Sequence, residues 1–451
     1  MYVSKIETRY YIISFIGILI SFIFLLNYLT YMDYLVYINI LFLSVLPFIV
    51  YIASKDKNIF SPLISFTSVY CIYYVIGSLN ITSRGGFIPM ENTYYFLIGI
   101  ISYVIGATIT KLYLYSFDKK SNRNGQNYNK STSYSQNQLK YTGYILYIIG
   151  ILALLYSLFS TGSIPIFNPE LRRETSSYIV VLTHFAWIGL VLLFFNKKRK
   201  LDKFNIMLLL LLIALYFLTA FRTPIIIAVL TLVVLRNNLY KKITLKQLAF
   251  LLILVLIVGT IIPTIRDNLM YGEDHMRSVY ESQGIPSGLF WLAPVYSVLR
   301  EGPNIFNQIL QNLGDNFLNG KAFFSNYLTI LPGENYSLRY IVTDIINSPT
   351  WVSKTPSIIG ALYLDFGLLS IILGMLILGV ILQYTYYQML KSKDLILGLS
   401  HSFLIVISLI SIHTGGYFEP ITVVILFLLF FIRKLTLENN KFKLEKEFSN
   451  D

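Results

Sequence analysis

The sequence has a single cysteine, Cys71, so no intrachain disulfide can form. Charge is also scarce. Asp, Glu, Lys and Arg make up 13% of the 451 residues, against roughly a quarter in soluble domains. No P-loop, dinucleotide fingerprint or nucleophile elbow occurs, so nothing supports coupling to ATP. The strict alternation of a β-barrel strand is missing too, because apolar residues come in continuous runs. The two halves show no self-similarity, which counts against an inverted-repeat transporter.

What the chain has instead is hydrocarbon. It is 55% hydrophobic with a mean hydropathy of +0.63. Apolar runs of about 18 residues or more recur along it, each long enough to cross a ~30 Å hydrocarbon core. The expected fold is an all-α polytopic membrane protein with about twelve spans, at 10–30, 34–53, 60–78, 93–115, 141–160, 177–196, 203–220, 223–240, 246–265, 357–384, 396–413 and 418–434. The first run is too long for a signal-peptide core and lacks a small-residue cleavage site, so it reads as a span. Residues 1–440 are expected to form a single transmembrane domain and 441–451 a cytoplasmic tail. The polar segment 116–140 reads as a disordered cytoplasmic linker. The stretch 266–356, between spans 9 and 10, is too long for a simple connection and is expected to be a partly helical external subdomain.

Charge fixes the orientation. The even-numbered gaps, both termini and their span edges hold 26 Lys and Arg against 9 Asp and Glu, whereas the odd-numbered gaps hold 10 against 13. Excess basic residues mark the cytoplasmic side, so both termini are expected inside. The net charge of +13 therefore reads as cytoplasmic loops rather than a nucleic-acid surface.

The two sides also differ in kind. The inner set has 21 Lys and 5 Arg, the outer set 2 Lys and 8 Arg: Arg84, Arg172, Arg173, Arg222, Arg266, Arg277, Arg300 and Arg339. Topology needs only positive charge. A preference for guanidinium points to bidentate grip on phosphate or carboxylate. Pairing with outer acids or lipid headgroups is the plainer alternative for any single arginine.

Arg222 is the sharpest case. It sits in "YFLTAFRTPIIIAVL", at the tip of a hairpin with almost no loop. With Thr223 as N-cap and Pro224 in the first turn, the eighth span would begin at the outer surface with its free N–H groups beside Arg222. An arginine there can equally snorkel to headgroups. The same grammar recurs at "KTPSIIG", where Lys354, Thr355 and Pro356 open the tenth span. Asp365, about two turns further on, is an ionisable residue at membrane depth, and serves either function or an interhelical cap. In "YGEDHMRS" (271–278), His275 could act as general base, although a solvated polar turn explains the cluster as well. His413, at an outer span end, is a second base candidate. His184 and His401 read as core residues. No metal motif and no cofactor motif is present.

"GSIPIFNPELRRE" (162–174), "LTAFRTPIII" (218–227), "LPGENYS" (331–337) and "TPSIIGALYLDFGLLSIILGMLILG" (355–379) together resemble the oligosaccharide repeat-unit polymerases, the Wzy-type O-antigen and enterobacterial common antigen enzymes. The resemblance runs from about residue 140 to 385, and the first four spans carry no matching motif. It implies joining of oligosaccharide units carried on a polyprenyl diphosphate, on the outer side of the cytoplasmic membrane. A sugar hydroxyl of one lipid-linked unit attacks the growing chain, which leaves its lipid diphosphate. On that reading Arg222 and one of Arg172 or Arg173 hold the diphosphate, with Arg300, Arg339, Lys354 and Thr355 as further contacts. His275 as base rests on chemistry alone. The expected partners are the lipid-linked oligosaccharide and membrane lipid, with a chain-length regulator left open. A lipid-linked glycan ligase is the first alternative, a flippase or transporter the second.

Overall fold

A computed structural model describes residues 34–54, 58–78, 90–123, 134–160, 162, 164–165, 176–196, 203–219, 222–328, 337–348, 354–416 and 419–437. Among these the chain is helical, with no named strand. The helices are α1 (Tyr34–Ala53), α2 (Pro62–Ser78), α3 (Met90–Arg123), α4 (Gln136–Ser160), α5 (Ser177–Asn196), α6 (Lys203–Leu218), α7 (Arg222–Leu239), α8 (Leu245–Tyr271), α9 (Glu273–Ser282), α10 (Ala293–Leu313), α11 (Lys321–Leu328), α12 (Leu338–Ile345), α13 (Ser357–Phe366), α14 (Leu368–Ser392), α15 (Leu395–Thr414) and α16 (Pro420–Thr436). Every expected span coincides with a helix except 10–30, which lies outside the described residues. Among the described residues, five helices are long and apolar enough to cross a membrane: those containing Asn92–Leu114, Gln136–Ser160, Tyr178–Phe195, Leu368–Ser392 and Leu395–Thr414.

Two expectations change in detail. The run 357–384 is not one rod. It breaks at Gly367, whose φ of +62° side chains rarely adopt, into α13 and α14. Helix α3 continues to Arg123, into the segment read as linker, of which 124–133 lie outside the described residues.

The chain divides into two compact units. The first holds 1–121, 279–386 and 407–417. It contains a small helical core. On α10, Ile305, Ile309 and Leu313 repeat at the i, i+4 spacing of one helix face. On α12, Leu338 and Val342 do the same, and Ile346 continues the stripe just past the helix end. These meet Ala322 of α11 and Leu364 of α13, with Phe317, Leu318 and Tyr363 packed around them.

Asp365 ties this core to the apolar helices. It is 5% exposed. Its Oδ1 accepts from the Gly320 and Ala322 amides at 2.9 Å each, and its Oδ2 from the Phe323 amide at 2.8 Å. Three otherwise orphaned N–H groups at the start of α11 thereby gain a charged acceptor from a distant helix. The preceding loop is pinned alongside by the Leu318 amide on the Leu364 carbonyl (2.9 Å) and the Asn319 amide on the Asp365 carbonyl (3.1 Å).

The second unit holds 122–278, 387–406 and 418–451. There α4 and α5 approach so closely that a methyl at Gly150 would overlap the Ala186 backbone, the small-residue packing that joins helices where no water drives association. A second carboxylate organises this unit. Asp394, fully buried, caps α15 through the Ile396 (2.8 Å) and Leu397 (3.0 Å) amides, and also accepts from Arg433 Nε (2.9 Å) and the Tyr134 hydroxyl. These residues come from segments that the charge count assigns to one side.

Asp365→Asn keeps the size of the side chain but replaces one acceptor oxygen with a donor. We expect a loss of about 1–3 kcal/mol, the cost of stranding a buried donor. It would be read as a lower melting temperature in detergent with earlier proteolysis within 314–328. An unchanged melt would mean that the cap does not hold this core.

Candidate functional site

Within the first unit, the end of α2, the middle of α10, the start of α13 and the end of α15 converge. Their approach depends on glycine. A methyl at Gly77 would overlap the Leu299 carbonyl, and one at Gly302 would overlap the Tyr73 hydroxyl, so α10 can lie directly against α2. Beside Gly302 stands Glu301. Its Oε2 is 3.9 Å from Nε2 of His413, and Nδ1 of His413 is 3.2 Å from the Tyr73 hydroxyl. The His413 and Glu301 side chains retain 22% and 28% exposure, so the pair is sheltered yet reachable.

The start of α13 closes the other side. Ser357 is buried and carries a φ of +62°, a strained conformation for a residue with a side chain. Its Oγ accepts from the Tyr74 hydroxyl (3.1 Å) and the Gly360 amide (3.4 Å), which fixes the turn. That turn directs Thr355 and Lys354 toward Glu301. Burial pushes the Glu301 carboxyl above the usual carboxylate value, while Lys354, the Thr355 backbone and Arg339 act in the opposite direction. The Thr355 hydroxyl is buried without a partner of good hydrogen-bond geometry, although it lies near enough to Glu301 to favour the ionised form. The site thus holds a carboxylate, an imidazole and two cations, the set needed to take a proton and to steady a developing anion.

The sequence candidates fall as follows. Lys354, Thr355 and Arg339 are in this cluster. Arg300, next to Glu301 on α10, donates to the Tyr296 hydroxyl at 2.8 Å. Asp365 is occupied by the α11 cap. Arg222 and Thr223 open α7 in the second unit; Thr223 is exposed, and the Arg222 side chain lies outside those described, as do Arg172 and Arg173 altogether. His275 is exposed on α9, where Glu273 and Asp274 occupy the first turn and Arg277 pairs with Glu273 at 2.8 Å. The polar run at 271–278 is therefore a helix start with a surface ion pair. His413, the second base candidate, lies in the site. Glu301 and Tyr73 were not singled out by sequence. For Glu301 a signal existed: it extends the apolar stripe Ile305–Ile309–Leu313 by one step, so a carboxylate occupies a core-facing position.

Residues 58–273 and 302–431 match the family model described as "Putative O-antigen polymerase". The chain belongs to this family. The matched segments contain Tyr73, Ser357, Lys354, Thr355, Arg339 and His413, while His275, Arg300 and Glu301 fall between them. An uncharacterised protein of Methanocaldococcus jannaschii is 25% identical over 354 residues, covering 78% of this chain and 87% of its own. No solved structure matches the chain.

A carboxyl with a raised folded-state pKa favours folding when protonated. That contribution is present below its ordinary value of 4.5 and is lost as pH rises through the folded value. Melting curves of the wild type and Glu301→Gln, taken from about pH 4 to about pH 7, should therefore diverge, with the variant gaining relative stability as pH rises. A constant difference would contradict the burial of the ionised group.

Proposed function

We propose that the protein is a glycosyltransferase that polymerises oligosaccharide repeat units carried on a polyprenyl diphosphate, at the outer face of the cytoplasmic membrane. The Glu301–His413 pair beside Lys354 and Arg339 carries this reading. All four residues belong to the gaps, or adjoin the span ends, that the charge count assigns outside, and both chain termini are then cytoplasmic. Family membership supplies the reaction class.

In the proposed step, a hydroxyl oxygen of the incoming lipid-linked unit attacks the anomeric carbon of the growing glycan. The carbon–oxygen bond to the diphosphate breaks and its electron pair stays on the phosphate oxygen. The hydroxyl proton passes to Glu301, which releases it to solvent. Raising the Glu301 pKa brings the carboxylate closer to the range in which a general base works well. Lys354 and Arg339 stabilise charge growing on the leaving diphosphate; the arginines at 172, 173 and 222 are the diphosphate contacts that the family resemblance implies. His413 serves as the partner of Glu301, and His275 is the alternative base.

The test is complementation of a deletion strain, with lipid-linked glycans resolved by size. Glu301→Gln and His413→Ala should each lower polymer formation by about 10²–10⁴-fold, leaving single repeats on the carrier. Arg222→Lys should do the same without loss of folded protein if bidentate phosphate contact is required. Full-length polymer retained on the carrier in the deletion strain would instead indicate a ligase. Accumulation on the cytoplasmic side would indicate a flippase. Normal polymer length in Glu301→Gln would remove that residue from the mechanism.

A further inference from the structure

The His413 ring has two nitrogens, and a neutral imidazole carries one proton between them. Which nitrogen holds it determines what Glu301 faces. The Tyr73 hydroxyl lies 3.2 Å from His413 Nδ1 and 3.5 Å from the Val298 carbonyl, and it has one proton to give. If Tyr73 donates to Nδ1, the histidine proton sits on Nε2 and points toward the Glu301 carboxylate, 3.9 Å away. If Tyr73 donates to Val298 instead, Nδ1 holds the proton and a bare Nε2 lone pair opposes a carboxylate oxygen. The first order has the shorter hydrogen bond and the attractive contact; the second has a longer bond and a repulsive one.

The tyrosine is well held for this task. Its ring packs edge-on against Tyr74 (5.1 Å, 88°), which stacks on Phe96 (4.0 Å, 27°) and bonds Ser357. On the remaining side Gly302 leaves space that even a methyl would take from the hydroxyl.

We propose that Tyr73 is a positioning residue: by donating its hydroxyl to His413 Nδ1, it fixes the histidine proton on Nε2, facing Glu301. The inference rests on the Glu301–His413 reading given above. Tyr73 itself touches no substrate. Its effect is to keep a donor directed at the base, which favours the ionised form of Glu301 against its burial. Glu301 is faced by His413 from α15, Tyr73 from α2, Lys354 and Thr355 from the segment before α13, and Arg339 from α12. Removing the tyrosine hydroxyl leaves Lys354, Thr355 and Arg339 in place and changes the tyrosine and histidine members of that set.

The chain has four histidines, so ¹⁵N-histidine labelling of the whole protein in detergent gives a spectrum that can be assigned by subtracting that of His413→Gln. In the wild type, His413 should show a bare Nδ1 and a protonated Nε2. In Tyr73→Phe the proton should distribute over both nitrogens. With purified lipid-linked substrate, kcat should fall about tenfold while KM stays within about twofold. The acid limb of kcat/KM should move upward by about one pH unit, the shift that corresponds to a tenfold change in proton affinity.

A wild-type spectrum with the proton on Nδ1 overturns the proposal without any activity measurement. So does a Tyr73→Phe protein whose spectrum and pH profile match the wild type. Full activity in Glu301→Gln overturns the catalytic reading instead, and the wild-type spectrum still decides where the proton lies.

Discussion

A carboxylate held by three backbone amides organises the half of the protein that bears the candidate site. Asp365 sits at the end of α13, and its donors are the amides that open α11. Two neighbouring backbone bonds clamp residues 318 and 319 to the same helix end. An ionised group in a nonpolar setting is costly unless its lone pairs are met, and here both oxygens are met by N–H groups that themselves lack helical partners. The arrangement fixes α13 relative to the helical core of the 266–356 stretch. The opposite end of α13 carries Ser357 and the turn to Thr355 and Lys354. A structural carboxylate at one end of a ten-residue helix thus sets the geometry of a functional one beyond the other.

The site's chemistry follows from competition among unequal effects. Burial opposes ionisation of Glu301, and Lys354, Thr355 and Arg339 favour it, with burial the largest single influence. The outcome is a carboxylate more basic than a surface glutamate yet surrounded by cations. Those charges have two roles. They favour the ionised form of the base against its burial, and on the proposed function they would meet negative charge on a departing diphosphate. Exposed ion pairs such as Arg277–Glu273 lack this double use, because water screens them and little stability rests on them.

Much of the architecture was legible because long apolar runs have few ways to fold. The spans found by hydropathy reappear as helices wherever the structure is described. The described residues of 266–356 include α9 to α12. The break at Gly367 was not legible, since "LDFGLLS" reads as continuous apolar helix. What splits it is tertiary: Phe317 packs on Gly367 and the α11 amides recruit Asp365. The site was partly legible. Lys354, Thr355, Arg339 and His413 were candidates by residue type and side, whereas Glu301 was passed over among the outer acids. Its register with Ile305, Ile309 and Leu313 distinguished it. His275 drew attention through its charged neighbours, but those neighbours serve the start of α9. Tyr73 offered no signal, because tyrosine is abundant in this chain and its role depends on a glycine more than two hundred residues away.

The order of the Asp365 cap along the chain bears on biogenesis. Lys321–Leu328 leaves the ribosome before Asp365, so the amide donors exist before their acceptor does. The apolar segment 357–366 carries a carboxylate whose amide donors lie in the 320–323 backbone, a stretch made before it. Docking of this segment is therefore coupled to prior arrival of the preceding loop, and a chain whose loop is displaced would strand a carboxylate among apolar side chains.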